Sequence, residues 1–218
     1  MFDLPSFDEN GVKFRTINDQ SYIRILHASP NAPNVDVYIN NEPKAKNITY
    51  KEFTEYMPLN SGTYNLKVFP TGNTTTPVIN ENLFFPPKGI YTIAIYGLLE
   101  DIGLMPILDK RLDYTNPTKV YVKVIHLSPN TPTIDVYFND QIAFRNISYE
   151  NITQYLSIPP NNYTIDLKLA GTNKTILTVP NANLTPNRYY SVYLVGFANR
   201  NPGLQLLIPL DGNSYIKF

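Results

Sequence analysis

The sequence predicts an all-β protein built as two tandem β-sandwiches. Three observations carry this reading: a unit of about 100 residues occurs twice, apolar residues within each unit alternate with a period of two, and turn-forming residues interrupt that alternation at short intervals.

The duplication is read first. His27-Ala-Ser-Pro-Asn-Ala-Pro-Asn-Val-Asp-Val-Tyr-Ile-Asn40 returns as His126-Leu-Ser-Pro-Asn-Thr-Pro-Thr-Ile-Asp-Val-Tyr-Phe-Asn139, an offset of 99 residues. The offset holds without a gap from Tyr22/Tyr121 to Gly97/Gly196, and 22 of those 76 paired positions are identical. The expected organisation is a leader or added edge strand over residues 1–20, a first sandwich over 21–112 and a second over 118–218. The junction from Leu112 to Thr118 is short and polar, which predicts a semi-rigid pair. In the leader, Val12-Lys-Phe-Arg-Thr-Ile17 alternates and reads either as a strand added to a sheet edge or as a loosely packed terminus.

Within the first unit Ile23 and Ile25 alternate with Tyr22 and Arg24, Val35, Val37 and Ile39 with Asp36, Tyr38 and Asn40, and Tyr64, Leu66 and Val68 with Asn65 and Lys67. The second unit repeats this parity, so each strand is expected to bury one face. Around Tyr91–Gly97 and Tyr190–Gly196 both parities turn apolar or aromatic, the mark of a central strand covered on both sides. Six or seven short strands separated by Ser-Pro-Asn, Thr-Gly-Asn and Pro-Pro-Lys-Gly turns predict an immunoglobulin-like or a transthyretin-like sandwich.

Composition narrows the function. The 218 residues carry 18 Lys+Arg against 18 Asp+Glu with no basic run, so nothing marks a surface for nucleic acid or an anionic membrane. Without cysteine there are no disulfides, no thiolate nucleophile and no Cys-ligated metal. The longest apolar run, Ile90 to Leu99, is about half of what a membrane-spanning helix needs. The acidic N-terminus lacks the basic and apolar regions of a secretory signal, so neither a signal peptide nor a transmembrane segment is expected in this chain.

The shared motif is His27, Ser29, Pro30, Asn31, Pro33 and Asp36, matched by His126, Ser128, Pro129, Asn130, Pro132 and Asp135. Its histidine, serine and aspartate are the residue types of a hydrolytic triad, but residues i and i+2 on a strand stand about 6.6 Å apart while a Ser–His pair needs about 3 Å. The expected role is structural: each histidine at the inner end of a strand fixes the following turn, and each aspartate accepts turn amides. One histidine per copy and no carboxylate cluster leave neither a metal site nor a cofactor site to predict. Tyr38, Tyr137, Tyr50 and Tyr149 take outer or loop positions in both copies and are the candidate binding residues, as an exposed aromatic surface; packing under loops or between the units is the alternative.

The motif, followed by Tyr56-Met-Pro-Leu-x-x-Gly-Thr-Tyr-Asn-Leu-Lys-Val68, resembles the bacterial domain-of-unknown-function 4397 family over nearly the whole chain. In the second copy Asn161 replaces the turn glycine, Gly62. The resemblance implies a sandwich module, often in tandem, in bacterial surface or secreted proteins, without established catalysis, and a spore surface would suit a member lacking a signal peptide. The expected function is therefore a non-catalytic structural or assembly protein of a bacterial cell surface or spore coat that associates with itself. The alternative is a module binding a wall polymer or glycan through its tyrosines, and a hydrolase is a distant third.

Overall fold

The computed structural model describes residues 19–110, 112 and 115–218. The strand expected over residues 12–17 and two residues of the junction, 113 and 114, lie outside the described residues.

The first repeat contains β1 (Gln20–His27), β2 (Val35–Ile39), β3 (Glu42–Ile48), β4 (Met57–Asn60), β5 (Gly62–Pro70), β6 (Ile79–Phe85), β7 (Ile90–Tyr96) and β8 (Gly103–Leu108). The second contains β9 (Val120–His126), β10 (Ile134–Phe138), β11 (Gln141–Ile147), β12 (Leu156–Ile158), β13 (Asn161–Leu169), β14 (Thr175–Leu184), β15 (Arg188–Val195) and β16 (Gln205–Leu207). They form four four-stranded sheets, ordered β4-β1-β7-β8 and β3-β2-β5-β6, then β12-β9-β15-β16 and β11-β10-β13-β14. The predicted all-β architecture of paired sandwiches is present. The strand order is not that of an immunoglobulin domain, whose sheets are ABED and CFG. Here the first and seventh strands of each repeat pair in parallel, β1 with β7 and β9 with β15. Two four-stranded sheets per sandwich fit the transthyretin-like alternative.

Local chemistry sets the hairpins. Asn40 and Asn41 adopt φ of 50° and 65°, and Asn139 and Asp140 adopt 46° and 63°. These are the left-handed pairs that a two-residue hairpin with a type I′ turn requires, and Asn and Asp tolerate them best. The next strand is bulged against β2, and Asn47 at the bulge takes φ of 54°. At the start of β5, Gly62 has φ of 155°, whereas its counterpart Asn161 keeps an ordinary negative φ, so the second repeat makes that turn without a left-handed residue.

Three cores separate the four sheets. Ile23, Ile25, Val35, Val37, Leu66, Val68, Ile93 and Ile95 fill the first sandwich. Val122, Val124, Ile134, Val136, Ile165, Leu167, Val192 and Leu194 fill the second. The third lies between the repeats, where Leu26, Ala28, Ala94 and Ile107 meet Ile125, Leu127, Tyr193 and Val195. Full burial of each large aliphatic side chain contributes about 1.5–3 kcal/mol. The middle core corrects one expectation: β1 and β9 do not expose the face carrying Arg24 and Lys123, and both strands are buried on both sides. The repeats are packed back to back.

Candidate functional site

The motif loops are built the same way in both repeats. His27 is fully buried, and its Nε2 lies 3.0 Å from the carbonyl oxygen of Pro33. Burial holds both His27 and His126 below the ordinary histidine pKa, so both are neutral imidazoles at neutral pH; the backbone carbonyls of Pro33 and Pro132 oppose that shift. Asn31 Oδ1 accepts the amide of Leu99 at 2.9 Å, and Asn130 Oδ1 accepts that of Ala198 at 2.9 Å, tying each Ser-Pro-Asn loop to the turn after the central strand. Ser29 and Ser128 are fully buried, Ser128 donating to Gly196 O at 2.6 Å. Pro30 is buried and Pro129 half-buried, filling the loop base, while Pro33 and Pro132 are exposed.

The aspartates go elsewhere. Asp36 Oδ1 accepts the bulged amide of Asn47 at 2.8 Å and the hydroxyl of Thr71 at 3.2 Å, and Oδ2 accepts the amide of Gly72, whose φ is +82°. Asp135 accepts Asn146 N at 2.8 Å and Gly171 N at 3.2 Å. These donors hold the Asp36 carboxyl below the usual range against the opposing effect of desolvation. The motif's histidine and aspartate therefore secure different connections, and the three triad residue types do not converge. Among the described residues no group of three or more His, Cys, Asp or Glu is placed to hold a metal ion, and no helix is long and apolar enough to cross a membrane.

The four candidate tyrosines are split between two places, which corrects the expectation of one exposed aromatic surface. Tyr50 and Tyr149 stand edge-on to His27 and His126, each 6.2 Å between ring centroids, and Tyr149 also meets Tyr96 of the first repeat. They reach the seam because their turns, after β3 and β11, are tied to the ends of β1 and β9, Lys51 N and Glu150 N donating to His27 O and His126 O, and burial pushes each hydroxyl up to about 12. Tyr38 and Tyr137 remain on the outer sheets, half-buried by diagonal neighbours: Phe69 edge-on to Tyr38 at 5.2 Å, and Lys168 Nζ over the Tyr137 ring at 4.3 Å.

The residues that sequence reasoning missed lie in the seam. Arg24 and Lys123 occupy equivalent positions on β1 and β9, and each pairs with a carboxylate of the other repeat. Arg24 Nη2 is 3.2 Å from Asp211 Oδ1, Nη1 reaches Leu210 O at 3.0 Å, and Nε donates to Thr92 at 2.9 Å. Its guanidinium also lies over the rings of Phe53 and Tyr56, at 4.8 and 4.7 Å. Lys123 Nζ is 3.0 Å from Asp109 Oδ1 and 2.7 Å from Leu108 O, and lies 4.8 Å from the Tyr155 ring. The remaining carboxylate oxygens are taken too. Asp109 Oδ2 accepts Tyr56 OH at 2.5 Å and Gly212 N at 3.2 Å, and Asp211 Oδ2 accepts Tyr155 OH at 2.6 Å and Ser191 Oγ at 2.7 Å.

Two cations and two anions thus close a neutral network whose ion pairs both cross between the repeats. Asp211 has no exposed surface, and burial, reinforced by the nearby Asp109 charge, lifts its pKa to about 7 against the pull of Lys123 and Arg24. Removing one partner of such a pair costs about 3–5 kcal/mol, because the other charge stays buried. Chemically the arrangement is a clamp, its two ion pairs tying one repeat to the other.

The family model for a domain of unknown function, DUF4397, matches residues 21–137 and again 120–216. The chain belongs to this family. No curated protein matches it. Among solved structures, the chain is similar to CBMbc, a family CBM26 module of Amy13K from Eubacterium rectale in complex with maltoheptaose, at 12% identity, with 87% of this chain and 96% of that chain covered and a TM-score of 0.25.

Proposed function

We propose that this DUF4397 tandem is a non-catalytic structural module of a bacterial surface assembly, spore coats included, in which two sandwiches act as one stiff spacer and associate with further copies. The observation that supports this reading is the seam. Its aliphatic core and its two crossing ion pairs commit four buried charged side chains, two from each repeat, to holding the repeats together. A connection used only for tethering needs none of that. Among the described residues the outer sheets end in unpaired edge strands, the surfaces for association. β6 is an edge strand, and its Phe84 is 64% exposed. The surface setting is what the family resemblance implies.

Sedimentation velocity of the full chain over a hundredfold concentration range, beside a chain lacking residues 1–18, tests the assembly reading. The expected result is concentration-dependent growth that the truncated chain shows weakly or not at all. A monomer at every concentration, combined with saturable pelleting on isolated cell walls, contradicts it.

A further inference from the structure

The two outer sheets differ at one place. In the second repeat β13 and β14 are joined by residues 170–174, and pairing resumes at Thr175 with Lys168. In the first repeat the connection between β5 and β6 runs over residues 71–78, and pairing resumes only at Ile79 with Val68. Pro77 stands where the second repeat has Ile176, and it has no N–H to give to a ladder. The segment peels away from the sheet instead. Asn73 Oδ1 holds the bend by accepting Thr75 N at 2.9 Å and Thr75 Oγ1 at 3.0 Å.

The peeled segment forms one wall of a cleft of about 320 Å³ over Tyr38, within the size range of small-ligand sites. Phe69 stands edge-on to Tyr38, so the two rings make an aromatic corner. Around it Lys67 and two amides supply donors. Lys67 Nζ donates to Asn41 Oδ1 at 2.8 Å, and Asn80 Oδ1 accepts Asn65 Nδ2 at 2.8 Å, which orients both amides and leaves Asn41 Nδ2 and Asn80 Nδ2 to donate to a ligand. Among the described residues no carboxylate lines the cleft, and Lys67 is its single charged group. In the second repeat the corner is closed: Lys168 replaces Phe69 and caps the Tyr137 ring, and Asp166 replaces Lys67 and is bonded to Thr178.

We propose that the cleft at Tyr38 and Phe69 binds a pyranose ring that carries a carboxylate, as in a uronic-acid polymer, and that the matching place in the second repeat does not. The C–H face of a pyranose stacks on an aromatic ring, its hydroxyl oxygens and carboxylate accept from the two amides, and the carboxylate meets the Lys67 ammonium. This site is independent of the seam and of self-association.

The test is ¹³C-tyrosine NMR of the intact chain titrated with tetragalacturonate and, separately, with maltotetraose. Tyr38 resonances are expected to shift saturably, at lower concentration for the acidic tetramer, while Tyr137 resonances stay in place. Tyr38→Ala is expected to weaken binding of the acidic tetramer about tenfold, the scale of one lost ring contact, and Lys67→Met to remove the preference for it, with unchanged thermal unfolding certifying the fold. No shift with either tetramer overturns the proposal. So does an equal response at Tyr137, or binding of maltotetraose as tight as that of tetragalacturonate.

Discussion

The seam and the outer faces have diverged to different degrees since the duplication. At the seam each repeat supplies the same kinds of group: Arg24 or Lys123, Asp109 or Asp211, Tyr56 or Tyr155, and Thr92 or Ser191. On the outer faces the equivalent positions have parted, with Lys67 against Asp166, Phe69 against Lys168 and Pro77 against Ile176. The difference follows from burial. A fully buried charge must find its counter-charge, so a change at one seam position strands another, whereas a residue facing water changes at little cost. The ion pairs that join the repeats rest on what the two share, and the proposed cleft sits where they differ.

The largest effect is expected from breaking the seam. Arg24→Ala leaves Asp211 buried beside Asp109 without its guanidinium, and urea unfolding should show a loss of about 3–5 kcal/mol. A loss below about 1 kcal/mol would mean that the pair contributes little. Tyr155→Phe removes a hydroxyl that donates to Asp211 at 2.6 Å, and the same measurement should read about 1.5–3 kcal/mol.

The pH dependence comes next. A carboxyl whose folded pKa of about 7 lies above its unfolded value of 3.8 binds its proton more tightly in the native state. Its contribution is full below the unfolded value and is lost as pH rises through the folded one. His27 and His126, with folded values lowered from 6.5, act in the opposite sense, and their contribution is lost as pH falls below 6.5. From about pH 6.5 to 8 the loss at Asp211 and the combined gain from the two histidines are each about 1 kcal/mol, so stability should stay nearly level. Asp211→Asn should remove only the falling part, so that stability in urea unfolding rises by about 1 kcal/mol across the interval, and a profile that stays level would assign the titration to another group. The smallest effect belongs to an outer face: Lys168→Ala removes the ammonium over Tyr137 and should cost about 0.5–1 kcal/mol in thermal unfolding.

Much of the fold was legible because its signals are local. The repeat fixes the equivalence of strands, the alternation of Val35, Val37 and Ile39 marks a half-buried strand, and the turn residues separate one strand from the next. The seam was hidden by its own chemistry. Arg24 and Lys123 on the second parity of β1 and β9 look like a solvated face, and only the company of Leu26, Ala28, Ile125 and Leu127 on that parity marks it as covered. Their partners Asp211 and Asp109 lie 187 and 14 residues away along the chain, beyond any local pattern. The cleft at Tyr38 was half-legible: the tyrosine stood out by its repetition, but the aromatic corner depends on Pro77 peeling a loop from the sheet of one repeat alone.

Differential scanning calorimetry of the full chain tests most directly whether the seam makes the two repeats one body. The account predicts a single transition whose calorimetric and van't Hoff enthalpies agree, splitting into two when Arg24 and Lys123 are both replaced by alanine. Two resolved transitions in the unaltered chain would contradict it.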